Sequence, residues 1–249
     1  MITCGINAET RALGQVQRVL DAQLAHYSSY ESTWTRFKGE WDVQDLDKIR
    51  QQGKSSTNDD STNTDDSANK KDNSDESTTL EQTPKKHRTF QSVDTACSGL
   101  IFYRFRVNLR PTEFMDDMIK RLMALDDKKE KEALSATIRH CSRWIPLDYI
   151  CHVTNERISD CFASRVLPEC IADLPANTSI AIVTEIRNNL SITKPELINI
   201  IAPQLPTNLK VDLKNPQYVI YVTIFKSVCG MAVLKDYYQR KKYNLGALL

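Results

Sequence analysis

Two short stretches of this 249-residue chain carry residue types that could do chemistry. In the first, Asn215-Pro216-Gln217-Tyr218, an amide and a proline-turn carbonyl could grip an amino group while the aromatic ring stacks on a base, as in the Asn-Pro-Pro-Tyr motif of amino-group methylases. Such an enzyme also needs a glycine-rich loop beside its cofactor. The seven glycines are at least nine residues apart, so the dinucleotide and phosphate-loop fingerprints are both missing. We therefore favour a plain turn and keep a base-modifying enzyme as an alternative.

The second stretch is a possible metal site made from His140-Cys141 and Cys151-His152. Adjacent residues of a strand point to opposite faces, so a His-Cys dipeptide seldom brings both side chains to one ion. The ligand spacing also fits no zinc module. We therefore expect neither a metal nor another cofactor. A Cys-His nucleophile pair stays open on spacing alone, although nothing in the sequence activates a particular thiol.

Charge is divided unevenly along the chain. The totals, 33 basic and 32 acidic residues, give a net charge of only +1. Residues 51–84 hold eight acidic residues and three lysines, a balance of −5, so the remainder carries +6. In that segment the hydrophobic residues are Ala68 and Leu80. We expect it to be a disordered acidic linker, and the mildly basic remainder suits a polyanionic partner without requiring one.

Signals for compartment favour a soluble intracellular protein. Seven cysteines without a Cys-x-x-Cys spacing are typical of reduced thiols, most of them core residues. The N-terminal MITCGINAE lacks the basic region and apolar core of a secretory signal. No stretch approaches the roughly 18 apolar residues of a membrane span. We expect a protein of the nucleus, nucleolus or cytoplasm with no membrane partner.

Helix and strand patterns alternate along the chain and predict an α/β or α+β fold. Helical spacing covers residues 13–24 and 155–167, Pro111 suits the first turn of a helix, and Thr193 with Glu196 forms a capping box. Strands are predicted at residues 100–107, 179–186 and 219–225. The last is apolar on both faces and should be a covered central strand. A final helix is expected from about residue 230.

The C-terminal third resembles the THUMP domain family of RNA-binding proteins, and in particular its tRNA acetylation adaptors. The motifs that carry the resemblance are Val211-Asp212-Leu213, Asn215-Pro216, Val228-Cys229, Lys235-Asp236-Tyr237 and Lys242-Tyr243-Asn244-Leu245, with Phe90-Gln91-Ser92-Val93, Arg187-Asn188-Asn189 and Ile2-Thr3-Cys4 upstream. Within them the resemblance implies that Asp212, Asn215, Pro216, Tyr243 and Asn244 are structural motif residues. It extends over nearly the whole chain, and its C-terminal motifs are the specific ones.

This resemblance implies a domain order and a function. In the adaptors a ferredoxin-like domain packs beside the THUMP domain, and the two hold tRNA, chiefly at its acceptor end. They serve a separate RNA cytidine acetyltransferase that makes 4-acetylcytidine. The expected domains are a ferredoxin-like domain at 1–50 and 85–146, the linker at 51–84 and a THUMP domain at 147–249. The chain would then be no enzyme and have no small-molecule substrate; a scaffold that never touches RNA stays as an alternative.

Basic residues outside helical ion-pair spacing are the candidate RNA contacts. With one asparagine from the family motif, the set is Arg104, Arg106, Arg187, Asn188, Lys226, Lys235, Arg240, Lys241 and Lys242. Alternation would place Arg104 and Arg106 on one strand face, where two guanidinium groups can straddle phosphates. We expect this face and the basic C-terminal helix to form one groove. Related sequences usually carry a lysine at Glu185 and an arginine at Ala8, so two positive charges are missing here.

Overall fold

The computed structural model describes residues 1–33 and 89–249. The expected disorder of residues 51–84 falls outside these described residues. Within them lie nine strands: β1 Ile2–Cys4, β2 Phe90–Val93, β3 Leu100–Phe105, β4 Cys141–Trp144, β5 Tyr149–His152, β6 Ser179–Arg187, β7 Lys210–Val211, β8 Tyr218–Phe225 and β9 Val228–Lys235. The predicted mixture of helices and strands is confirmed.

The described residues also form five α-helices: α1 Glu9–Leu24, α2 Pro111–Met123, α3 Lys128–Thr137, α4 Asn155–Cys161 and α5 Lys194–Ile201. A π-helical stretch, Phe162–Ile171, continues α4, and short 3-10 turns cover Ala202–Gln204, Lys241–Tyr243 and Leu245–Ala247. Within the described ranges, no helix combines the length and the apolar character needed to cross a bilayer.

The first sheet has four antiparallel strands in the order β2-β3-β1-β4. Helix α1 joins β1 to β2, and α2 with α3 joins β3 to β4, which is the β-α-β-β-α-β arrangement of the ferredoxin-like fold. The apolar stripe of α2, which includes Phe114, Met118 and Ile119, is buried in the core of this sheet. The predicted ferredoxin-like fold is confirmed.

The second sheet has five strands in the order β5-β9-β8-β6-β7. Strand β6 runs parallel to β8 and β7, whereas the β8-β9 and β9-β5 pairs are antiparallel. Alternate residues of β8 belong to two cores, with Val219 and Tyr221 in the core shared with the first sheet and Ile220 and Val222 in the second core. The prediction that β8 is covered on both faces is confirmed. One face of β8 packs in the core shared with the first sheet, and the other face packs in the second core.

The helix predicted from about residue 230 is wrong, because residues 228–235 form strand β9. Eight consecutive residue pairs, from Phe225 opposite Val228 to Tyr218 opposite Lys235, join β9 to β8 as a hairpin. The two-residue turn between these strands has Lys226 in the left-handed region, at φ 52°. Short apolar runs do not distinguish a buried strand from a buried helix by periodicity. Pairing with β8 decides the outcome here.

The two pairs, His140-Cys141 and Cys151-His152, belong to different sheets. Cys141 begins β4 of the first sheet and Cys151 lies in β5 of the second sheet. All seven cysteines are free thiols, and three of them, Cys97, Cys141 and Cys229, are buried. The other four are partly buried and pack against one of the two cores.

Candidate nucleic-acid interface

A cleft of about 250 Å³ opens between the two sheets, beside the C-terminal turns. It is lined by residues from β4, β6, α5 and the segment after β9, namely Arg143, Val183, Thr184, Glu185, Lys194, Tyr237, Tyr238 and Lys242. We call these eight residues the basic cleft. Three cationic side chains face one carboxylate there, so the cleft has a positive balance suited to a phosphate-bearing ligand.

Arg143 reaches the basic cleft from the edge of the first sheet. Its backbone N–H donates to Thr3 Oγ1 at 3.0 Å, and its backbone pairs with Asn244 in an isolated bridge. The bridge ties the C-terminal segment to the first sheet. Arg143 is therefore anchored both to β1 and to the C-terminal segment, while its side chain stays about two fifths exposed.

Lys194 is fixed at the first turn of α5 by the predicted capping box. The Glu196 carboxylate accepts the Thr193 N–H at 2.7 Å, and the Thr193 hydroxyl accepts the Glu196 N–H. These two bonds satisfy backbone donors that a helix leaves unpaired at its start. The capping box is confirmed, and it places Lys194 at the rim of the cleft.

The third cation, Lys242, projects from a left-handed turn. Lys241, Lys242 and Tyr243 have φ values of 51°, 57° and 60°, a region that non-glycine residues seldom occupy. The Lys242 N–H donates to Tyr237 O at 2.8 Å, and the Tyr243 N–H donates to Arg240 O at 2.8 Å. Strained backbone of this kind persists where the surrounding contacts hold it, often at binding sites. Here the turn holds the Lys242 ammonium 5.8 Å from the centroid of the Tyr238 ring.

Glu185 is the centre of a charged network at the floor of the cleft. Its Oε2 accepts the Tyr221 hydroxyl at 2.6 Å, and its Oε1 accepts two Arg187 N–H groups at 2.8 and 3.0 Å. Arg143 Nη1 lies 3.6 Å from Oε2. Burial raises the pKa of Glu185, but the hydrogen bonds from Tyr221 and Arg187 and the two guanidinium charges outweigh it. The net pKa is lowered, so the carboxylate is ionised at neutral pH.

Tyrosines form the apolar part of the cleft. The Tyr237 and Tyr238 ring centroids are 5.2 Å apart in an edge-to-face pair, and Tyr221 lies 6.0 Å behind Tyr237. Burial raises the pKa of Tyr237 to about 12, so this phenol stays protonated. Tyr238 is only half-buried and presents part of its ring to the cleft. A half-exposed aromatic ring beside cations is the arrangement on which an unpaired base stacks.

Predicted contacts lie around both ends of β9, and two of them, Lys242 and Arg187, are tied to the cleft. Lys242 lines the cleft, and Arg187 donates a hydrogen bond to Glu185, which also lines it. Asn188 follows directly at φ 49°, and the Lys226 N–H donates to Arg187 O at 3.1 Å. Lys235 and Lys241 are exposed at the end of β9 and in the C-terminal turn. The end of β6, the β8-β9 turn and the C-terminal turn therefore carry most of the predicted basic residues.

The remaining predicted contacts lie elsewhere. Arg104 lines a separate, mostly apolar cavity of about 240 Å³, and of the described residues none lines both this cavity and the basic cleft. Arg106 lies just past the end of β3, where its side chain donates to Gln91 Oε1 at 2.7 Å. Arg104 and Arg106 are therefore not among the residues that line the basic cleft, and a single groove that joins them to the C-terminal basic residues stays a prediction.

Arg187 and Arg240 have no ion-pair partner at helical spacing, but each is paired with another carboxylate in the fold. Each donates to a carboxylate, Arg187 to Glu185 and Arg240 to Asp116. The Arg240 side chain is only 11% exposed, so it faces protein rather than solvent. Arg187 keeps 31% of its exposure and can still meet a ligand at the rim of the cleft.

The Asn-Pro stretch is a turn that connects β7 to β8. The Asp212 carboxylate accepts the N–H groups of Lys214 and Asn215 at 2.8 and 3.1 Å, which lower its pKa. Pro216 is buried beneath this turn, while Asn215 is exposed. Of the C-terminal motif, Tyr243 is buried and Asn244 bridges Arg143. These residues fix backbone geometry.

Sequence reasoning missed Arg143, Lys194, Tyr238 and the role of Glu185. Lys194 lies within the Thr193–Glu196 capping box, and Tyr238 follows the Lys235-Asp236-Tyr237 motif. Only the fold brings these two residues close to β4. Arg143 lies in a four-residue strand with no pattern to mark it. Adjacent aromatic residues followed by Arg240, Lys241 and Lys242 were the one local signal that could have indicated a stacking surface.

Comparisons with known proteins identify the relatives of this chain. The THUMP domain family matches residues 163–234. THUMP domain-containing protein 1 of Mus musculus and that of Homo sapiens are each 30% identical over 166 residues, which is 66% of this chain and 44% of theirs. The tRNA acetyltransferase TAN1 of Saccharomyces cerevisiae is 26% identical over 174 residues, 66% of this chain and 58% of that protein. The chain spans about half the length of the curated relatives it matches.

Among solved structures, the solution structure of the THUMP domain of THUMP domain-containing protein 1 is 32% identical. The match covers 31% of this chain and 81% of the solved domain, with a TM-score of 0.26. The assignment rests on the sequence matches and on the motifs that the second sheet carries. This chain is therefore a member of the THUMP domain family and a relative of THUMP domain-containing protein 1.

Proposed function

We propose that this protein is a tRNA-binding adaptor that presents tRNA to a separate RNA cytidine acetyltransferase for 4-acetylcytidine formation. The observation that carries the proposal is the basic cleft, where Arg143, Lys194 and Lys242 surround the half-exposed ring of Tyr238. The THUMP domain and the similarity to a protein named tRNA acetyltransferase support it. Such a protein works inside the cell, in the nucleus, nucleolus or cytoplasm.

The cleft suits a folded RNA better than a regular duplex. Proteins read double-stranded RNA mainly through phosphates and shape, and they hold unpaired ends by stacking and edge contacts. Lys242, Lys194 and Arg143 would take phosphates, while Tyr238 would stack on an unpaired base. The acceptor end of tRNA combines a duplex with a single-stranded extension, so we propose it as the part that enters.

The proposed contact surface continues around the cleft. Arg187, Asn188 and Lys226 would meet the backbone on one side, and Lys235 and Lys241 on the other. Arg104 and Arg106 would form a separate RNA contact outside the cleft. We propose the domain boundaries 1–50 with 85–146 and 147–249, which place Arg143 in the first domain and the other cleft residues in the second.

Catalysis by the chain itself is the second candidate, because the relative TAN1 is named an acetyltransferase. The geometry favours the adaptor. Hydrogen bonds from Tyr221 and Arg187 outweigh burial and lower the pKa of Glu185, and the eight cleft residues include neither a histidine nor a cysteine. An efficient general base has its pKa near the working pH, so a carboxylate with a lowered pKa suits that role poorly.

A binding titration tests the RNA contact. Purified protein and total tRNA, measured by filter binding at low and at moderate salt, should show affinity that falls as salt rises. Lys242→Ala should weaken binding and lower the salt slope by about 1, as expected for one lost phosphate contact. Lys129→Ala, an exposed lysine on α3, is the matched control and should leave the slope unchanged.

An acetylation assay separates the adaptor from the enzyme. Transfer RNA, acetyl donor and a cytidine acetyltransferase should yield 4-acetylcytidine only when this protein is added, and this protein without the acetyltransferase should yield none. Product formed by the chain alone would establish an enzyme instead. Absence of tRNA binding at low salt would favour the scaffold alternative.

A further inference from the structure

Glu185 is an unexpected residue in a cleft that we propose for RNA. Of the described residues that line it, Glu185 is the one carboxylate, and it lies among Arg143, Lys194 and Lys242. A fixed negative charge repels phosphate, so its presence weakens the cleft as a simple anion site. The side chain is also 23% exposed, which leaves it accessible from the cleft.

The hydrogen bonds of Glu185 leave room for one more donor. A carboxylate offers about four acceptor sites, two on each oxygen. Two Arg187 N–H groups occupy Oε1, and the Tyr221 hydroxyl occupies one site on Oε2. The nearest Arg143 nitrogen is 3.6 Å from Oε2, beyond hydrogen-bond distance. Oε2 therefore keeps an acceptor site that a ligand can use.

The surroundings hold this carboxylate in place. Tyr221 is fully buried, and Glu185 lies near the C-terminal end of β6, paired with Thr223 of β8. Its position is fixed by the strand backbone and by two side-chain partners, so it costs little entropy to present it to a ligand. A preorganised acceptor beside an aromatic ring is how proteins read the edges of unpaired bases.

We infer that Glu185 is a specificity-determining residue that accepts a hydrogen bond from the amino group of an unpaired nucleobase held in the basic cleft. This inference rests on the proposed RNA-binding function and adds which base the cleft selects. Cytosine N4, adenine N6 and guanine N2 are edge amino groups that can donate to a carboxylate. Uracil presents carbonyl oxygens on either side of its one N–H, and these are repelled by the carboxylate. The cleft therefore prefers cytosine or adenine to uracil.

A purely structural role for Glu185 makes a different prediction. If the carboxylate only orients Arg143 and Arg187 toward phosphate, its loss weakens every RNA by the same factor, whatever the base. If it only repels phosphate, its loss strengthens every RNA. Base preference is therefore the readout that separates these roles.

The experiment uses RNA hairpins that share one stem and differ only in an unpaired 3′ extension of cytidines, adenosines or uridines. Dissociation constants are measured by fluorescence anisotropy with the full chain at one salt concentration. The unaltered protein should bind the cytidine and adenosine hairpins about tenfold more tightly than the uridine hairpin, the size expected for one hydrogen bond to a charged group. Glu185→Gln should reduce this ratio to about twofold or less, because its amide can donate to uracil O4.

Two further variants keep the test decisive. Lys194→Ala removes a cation of the same cleft and should weaken all three hairpins equally, with the base ratio unchanged. Tyr221→Phe removes one partner of Glu185 but keeps the carboxylate, its strand and both Arg187 hydrogen bonds, so cytidine and adenosine should still be preferred to uridine. This variant therefore separates loss of the acceptor from disturbance of its surroundings. An unchanged ratio in Glu185→Gln, or equal weakening of all hairpins, overturns the inference. Failure of the unaltered protein to bind any hairpin overturns the proposed function instead.

Discussion

Arg240 and Asp116 form an ion pair that joins two parts of the chain 124 residues apart. Arg240 Nη2 donates to Asp116 Oδ1 at 2.5 Å, and the guanidinium also lies 5.8 Å from the Tyr243 ring centroid. Asp116 also pairs with Lys120, whose Nζ lies 2.6 Å from Asp116 Oδ2. The pair fastens helix α2 to the C-terminal turn, and thereby holds the turn that carries Lys242.

Arg240→Ala should destabilise the protein more than it weakens RNA binding. The variant loses a largely buried charged hydrogen bond, so the free energy of unfolding should fall by about 1–3 kcal/mol. Urea denaturation measures this, and Lys241→Ala is the control because the neighbouring lysine is exposed. A lower salt slope for tRNA with unchanged stability in Arg240→Ala would contradict the structural role and favour a direct RNA contact.

Two substitutions at Lys242 should separate the effect of its charge on RNA binding from the effect of its left-handed backbone on stability. Lys242→Ala and Lys242→Gly remove the same ammonium group, so both should lower tRNA affinity and the salt slope equally. Glycine adopts the left-handed region without a Cβ penalty, so the glycine variant should be more stable than the alanine variant by about 1 kcal/mol. Thermal unfolding and filter binding on the same two proteins measure both effects. Equal stability of the two variants would show that the turn is unstrained.

Sequence patterns predicted those elements whose signal is local. Strand β8 has apolar residues on both faces, α2 begins at Pro111, and α5 carries a capping box; all three were found because the pattern lies within one element. Strand β9 was predicted as a helix because its apolar run has no distinguishing period. Only its pairing with β8, which is a tertiary contact, shows that it is a strand.

The basic cleft was harder to predict because its walls come from distant parts of the chain. Arg143 and Lys242 are brought together by the bridge between Arg143 and Asn244, which no sequence spacing encodes. Counting basic residues identified Arg240 as readily as Lys242, although one is held by Asp116 and the other lines the cleft. Charge alone does not separate a structural ion pair from a binding residue.

Gly230→Ala should destabilise the protein, because Gly230 of β9 packs against Leu147 in the segment between β4 and β5. A Cβ at residue 230 would lie 2.6 Å from Leu147 Cδ1, and Leu147 is buried. Overpacking of this kind should lower the free energy of unfolding by about 1–3 kcal/mol. Gly246→Ala, whose Cβ would have its nearest neighbour at 3.7 Å, is the control. Adding Leu147→Val should recover part of the loss, and denaturation of the three variants checks this.

Glu185 should make stability depend on pH in a known direction. Its pKa in the folded protein is lowered from the ordinary 4.5, so its contribution is complete above that value and is lost as the pH falls through the folded pKa. At pH 7, Glu185→Gln should lower the free energy of unfolding by about 1–3 kcal/mol, because Arg187 and Tyr221 lose a charged acceptor.

The difference between the original protein and Glu185→Gln should shrink as the pH falls below 4.5, since the carboxylate of the original protein becomes protonated. Urea denaturation of both proteins at neutral and at acidic pH measures it. Glu130→Gln, on the exposed surface of α3, serves as the control and should change stability by less than about 0.5 kcal/mol at either pH. A difference that grows on acidification would mean that Glu185 is held protonated in the folded protein. The carboxylate could not then be the charged acceptor that the basic cleft presents.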